Sequence, residues 1–181
     1  MKGSASYSHV YPLNDHLAVL PIEHKKLAYA IQVRQAIFEY NPEVVLFELP
    51  HILEDPIRKG ISRLPLPSFV IYRVNDASYY LSLDPSDARI EALRLCEQYG
   101  IQAELIDGLI PPDKPYQSMP DEWAVHQVNG FQLGELVDEK LVHDRETQSV
   151  RPDFFEGLER FVEQQKRGLL VCHATMIPAV R

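Results

Sequence analysis

The chain has 181 residues, enough for one domain with a core that supports itself. Its formal charge of −8 argues against a nonspecific nucleic-acid binder, which needs clustered basic surface to neutralise phosphates. Two cysteines make no disulfide framework, residues 1–16 contain no apolar leader, and no apolar run approaches the about 20 residues that cross a bilayer. The expectation is a cytoplasmic protein with reduced thiols and no membrane partner.

Residues 1–16 are polar and turn-rich, a lead-in to a domain spanning 17–181. An apolar run at 17–22 ends at Glu23 and His24. An amphipathic stretch follows to about Tyr40, with Leu27, Ala30, Ile31, Val33, Ala36 and Ile37 near one stripe. Pro42 cannot continue that helix, and a second apolar run at 44–47 leads to Glu48. This pattern is the signature of a β-α-β unit with parallel strands. A short helix is predicted over 51–63, a third strand over 68–74 and a short extra strand at 79–82. Asp84 is the predicted N-cap of the next helix, with Pro85 at its first position, inward-facing Ile90, Leu93 and Cys96, and a stop at Gly100. A fourth strand over 101–106 closes at Asp107. The stretch 108–121 is a loop long enough to be functional, 123–143 reads as one or two helices, and 153–166 is an amphipathic helix. A final strand from Gly168 ends at His173. The fold class expected is α/β, a mainly parallel sheet with helices on both faces in a single domain.

Four strands thus end in a polar residue: His24, Glu48, Asp107 and His173. Ligands of parallel sheets gather at the carboxyl ends of the strands. Two histidines and two carboxylates there could hold a divalent metal, or supply a base with its orienting partner. Each also has a plainer use. Glu48 could cap a neighbouring helix, Asp107 before Gly108 could make an Asx-turn, and His173 could be a satisfied buried histidine. Cys172 and His173 are adjacent on a strand and point to opposite faces, so they cannot form a nucleophile–base pair. The chain has no P-loop, no GxGxxG and no HExxH.

The ordered set of motifs resembles the superfamily of TraB-like proteins, ChaN and the erythromycin esterases, closest to an uncharacterised bacterial branch. The pattern P-[DE]-x-V-x-x-E-x-P is matched by Pro42-Glu43-Val44-Val45-Leu46-Phe47-Glu48-Leu49-Pro50, and the run ending in I-D by Gly100 to Asp107. An Arg-[Asp/Glu] pair looks like Arg145-Glu146. Two Gly-x-x-His motifs look like the segments ending at His24 and His173, with Pro21 and Leu170 where the family has glycine. The resemblance spans 17–173 and implies hydrolytic chemistry on a small-molecule or peptide substrate. His24 would be general base or metal ligand, with Glu48 binding or orienting it. Arg145 would stabilise an oxyanion or hold Glu146, and His173 would be second ligand or acid. A metal set would be His24, Glu48, Asp107 and His173. Glu23 is offset by one from the acid of the esterase relatives, and a one-residue slip reverses a strand face, so it is not counted equivalent.

Two rivals stand beside the hydrolase. The missing glycines favour a catalytically silent domain that acts through a protein partner, with the two histidines apart or one of them buried among apolar side chains. A metal or haem carrier of the ChaN kind would instead open its ligands to a wide apolar pocket.

Overall fold

The computed structural model describes residues 9–109 and 151–180. Within them the chain is a mixed α/β structure. Its larger sheet has five strands in the order β1 (Tyr11–Pro12), β2 (Leu17–Ile22), β7 (Gly168–His173), β3 (Val44–Pro50) and β6 (Gln102–Asp107). β1 pairs antiparallel with β2, and every other pairing is parallel. The predicted β-α-β unit is present as β2, α1 (Leu27–Tyr40) and β3, but its two strands are not neighbours. β7 lies between them, with Leu20 opposite Val171 on one side and Phe47 opposite the same Val171 on the other.

The strands of the parallel core are nearly continuous apolar, buried runs. Because successive side chains alternate across a strand, each run feeds two clusters. Ala18, Leu20, Ile22, Val45, Phe47, Leu49, Leu169 and Val171 join residues of α1, α2 (Glu54–Ile61) and α3 (Ala88–Tyr99). Leu17, Val19, Val44, Leu46, Leu170 and Cys172 join Phe154 and Phe161 of α4 (Pro152–Val162) and Ile177 of α5 (Ile177–Val180).

Several expectations shift. The buried stripe of α1 is Tyr29, Ala30, Val33, Ala36, Ile37 and Tyr40, while Leu27 and Ile31 face solvent. That helix stops where Asn41 adopts a left-handed conformation and donates its N–H to Ile37. The N-cap of α3 is Asp87, whose side chain accepts from the Arg89 N–H; Asp84 instead closes a turn onto the Ser86 N–H. The stretch 68–74 is not a strand of the main sheet. β4 (Ser68–Val74) pairs antiparallel with β5 (Ala77–Leu83) in a separate two-stranded sheet. Asn75 and Asp76 both have positive φ between them, the geometry of a two-residue hairpin turn. Val70 and Leu83 of that hairpin are buried, and Phe69, Ile71 and Tyr80 are exposed on its opposite side. The lead-in contains β1. Loop 108–121 beyond Leu109, and the helices expected over 123–143, lie outside the described residues. No helix among those described is long and apolar enough to cross a membrane.

Candidate functional site

The carboxyl ends of β2, β3, β6 and β7 lie at one edge of the sheet, and they bring the four expected residues there. Register accounts for this: Ile22 sits opposite His173, and Pro50 opposite Asp107. The imidazoles of His24 and His173 come within 4.8 Å, centroid to centroid, tilted by 35°. Glu48 and Asp107 are almost fully buried, with 6% and 3% exposure.

His173 is held from three sides. Its backbone N–H donates to Glu48 Oε2 at 2.6 Å. Its Nε2 lies 3.0 Å from Glu23 Oε2, and its Nδ1 lies 2.7 Å from Thr175 Oγ1 and accepts from the Thr175 N–H at 3.3 Å. An ionised carboxylate only accepts, so the proton sits on Nε2 and the lone pair on Nδ1.

His24 is different. Its Nδ1 is sealed from solvent, has no hydrogen-bond partner among the described residues, and stands 3.8 Å from Asp87 Oδ2, too far for a hydrogen bond. The side chain nevertheless keeps 30% of its surface open. Burial holds its pKa well below the ordinary value of 6.5, and the positive charges of Arg89, Arg151 and Lys25 push the same way. At neutral pH the ring is uncharged. Asp87 also accepts from the Lys25 N–H at 3.3 Å, tying the turn after β2 to the start of α3.

Glu48 does not meet the His24 ring as the resemblance implies. Its second oxygen accepts from Arg151, which also reaches Asp107 Oδ2 at 3.2 Å. One guanidinium therefore bridges the ends of β3 and β6. Burial raises the Asp107 pKa; Arg151 opposes that rise and Glu48 adds to it. Asp107 accepts from the N–H of the next residue, Gly108, at 2.9 Å, a local contact that is not the expected Asx-turn onto the second residue on. His51 Nδ1 lies 2.9 Å from the Asp107 carbonyl, and Arg89 donates to the Glu48 carbonyl at 3.3 Å.

The metal set fares differently from the His pair. With Glu48 and Asp107 turned onto Arg151, no three His, Cys, Asp or Glu side chains among the described residues converge in a geometry that would hold a metal ion. The donor set as arranged does not fit one. Two grooves formed by described residues, about 340 and 290 Å³, lie away from the histidines. The first runs past Leu13, Leu17 and Leu158, the second between α2 and the hairpin at Leu53, Gly60 and Val70. Cys172 is fully buried and its pKa is raised by that burial, in keeping with its exclusion as a nucleophile.

Arg145 and Glu146 lie outside the described residues. Among the described residues, the arginine that meets Glu48 and Asp107 is Arg151, immediately before α4. Its sequence signal is Arg-Pro-Asp at a helix start, where proline marks the first helical position. Glu23 is another residue that sequence reasoning misses. The face-reversal rule excludes it, but β2 ends at Ile22, and beyond the strand that rule has no force. No protein-family model, curated protein or solved structure matches this chain.

Proposed function

We propose that the chain is a hydrolase-type domain that activates water for ester or amide cleavage at the carboxyl edge of its sheet, on a small-molecule or peptide substrate. The observation that carries this reading is a neutral, partly open His24 against a His173 fixed by Glu23. A base must be unprotonated at working pH and reachable, and His24, uncharged and with part of its side chain open, meets both conditions. In the reaction His24 takes a proton from water as the oxygen attacks the carbonyl carbon. Glu48 positions rather than reacts, fixing the His173 backbone and Arg151. No step passes through a metal.

The convergence of His24, Glu48, Asp107 and His173 in motif order supports kinship with the TraB, ChaN and erythromycin esterase superfamily. The two apolar clusters, fed by alternate strand residues, support a single domain with helices on both faces. The test is a panel of activated esters, lactones and short peptides, with wild type and His24→Asn. We expect turnover that falls about 100-fold or more in the variant. Its acid limb should lie below the ordinary histidine value of 6.5. Failure of the wild type on the whole panel, or an unaffected His24→Asn, refutes the reading.

A silent interaction domain is the second reading. What favours it is the apolar outer side of the β4–β5 hairpin, with Phe69, Ile71 and Tyr80 exposed together. It requires a panel result at the level of buffer, and a partner lost on Ile71→Asp.

A further inference from the structure

The turn after β7 sets a hydroxyl against His173 on the side away from Glu23. Thr175 Oγ1 lies 2.7 Å from His173 Nδ1, and His173 Nε2 lies 3.0 Å from Glu23 Oε2. Hydroxyl, imidazole and carboxylate in series is the arrangement of a nucleophile, its base and the acid that orients the base. The protons are placed correctly for it. The Thr175 N–H contact at 3.3 Å marks Nδ1 as the nitrogen without a hydrogen, the Thr175 hydroxyl at 2.7 Å is the closer donor to its one lone pair, and Nε2 carries the hydrogen that faces Glu23.

Capping the turn explains only part of this. A cap needs the Thr175 N–H on His173 Nδ1, and that contact is the long one at 3.3 Å. The short contact is the hydroxyl. Glu23 arrives from the end of β2, 150 residues earlier, and contributes nothing to the turn. All three side chains are partly open to solvent, so an acyl donor can reach them. The His173 backbone N–H is fixed separately on Glu48, which holds the imidazole in place as its charge changes.

Building on the hydrolytic reading, we infer that Thr175 is the nucleophile of this site and that ester hydrolysis runs through an acyl-threonine. Thr175 Oγ forms a bond to the carbonyl carbon, and its proton passes to His173 Nδ1. The resulting imidazolium is stabilised by the Glu23 carboxylate. His173 then returns that proton to the departing alkoxide as the ester C–O bond breaks, releasing an alcohol. Water, deprotonated by His24, attacks the acyl-threonine. The carboxylic acid leaves, and the proton returns from His24 to the threonine oxygen. The sum is ester plus water to acid plus alcohol. The substrate class is a carboxylic ester with a small acyl group, because the threonine methyl crowds the attacking oxygen.

The test mixes the full chain with p-nitrophenyl acetate, quenches in acid during the first turnover, and maps acetylation by peptide mass spectrometry. We expect a burst of nitrophenolate stoichiometric with protein and acetyl on Thr175. Thr175→Ala should lose that acetyl and about 100-fold in rate, while Thr175→Ser keeps both. Glu23→Gln should slow acetylation, and His24→Asn should make the acetyl-threonine accumulate. Thermal melts of each variant report whether it is folded. Absence of acetyl on Thr175 in the wild type overturns the inference, as does a Thr175→Ala protein that turns over at the wild-type rate. In the second case the water-activating reading survives without the covalent step. A wild type with neither turnover nor adduct removes both.

Discussion

Replacing Arg151 by methionine keeps most of the side-chain stem and removes the charge that both Glu48 and Asp107 face. The two carboxylates are 6% and 3% exposed, so water cannot substitute for the guanidinium. Breaking a buried ion pair from one side costs about 3–5 kcal/mol, because the remaining charge stays desolvated. With two carboxylates on one cation, the upper part of that range applies at neutral pH. The loss should depend on pH, and its sign follows from Asp107. Burial already raises its pKa, and Arg151, ahead of the Gly108 N–H, pulls it down, so the variant raises it further. A carboxyl whose pKa is higher folded than unfolded binds a proton on folding. Its contribution is therefore fully present at low pH and is lost as pH rises through the folded value. The variant should accordingly be closer to wild type at about pH 5 than at about pH 8. Urea titrations at both pH values, read at constant slope, measure this. A chain of this size should lose about 10 °C in melting temperature at the higher pH. A loss under about 1 kcal/mol near neutrality, or an equal loss at both pH values, would show that Arg151 is not what neutralises this pair.

Two further outcomes test the packing. Gly157 of α4 has no room for a methyl group, since a Cβ there would lie 2.6 Å from Ile106 Cβ and 3.1 Å from the Ile106 carbonyl oxygen. Gly157→Ala should push α4 off β6 and cost about 1–3 kcal/mol by thermal or urea melting, and a neutral result would mean the helix sits further from the strand. Both cysteines are buried, with Cys96 pushed up to about 12 and Cys172 also raised by burial. A thiol reagent should therefore label neither in the native protein and both in guanidinium; rapid native labelling would contradict the burial.

What the sequence makes legible is the residues that end strands. Continuous apolar runs bounded by a polar residue give both the strand and its terminus, so the amino-acid order alone assigns His24, Glu48, Asp107 and His173 to one edge. Pairing between them is not legible, because it depends on which strands are neighbours. No local pattern announces that β7 enters between β2 and β3. The clamp on Glu48 and Asp107 comes from Arg151, one of 18 basic residues, in a stretch whose only local signal is the proline after it. Glu23 escapes notice through a rule valid only inside a strand, one residue past where the strand stops. The hairpin is half visible: two β-favouring runs stand either side of Asn75-Asp76, and a turn at that pair is what detaches 68–74 from the parallel sheet.

The placement of β7 has a consequence for how the chain acquires its shape. β2 and β3 meet only through a strand that follows them by more than a hundred residues, with Leu17 and Val44 both opposite Gly168. Until that strand arrives, the nascent polypeptide holds an open slot with two unsatisfied inner edges, at the point where folding is slowest and sticking to other chains is easiest. The strand that fills the slot also carries His173. Closure of the sheet and assembly of the histidine pair are therefore one event, and a partly folded chain has no site at all.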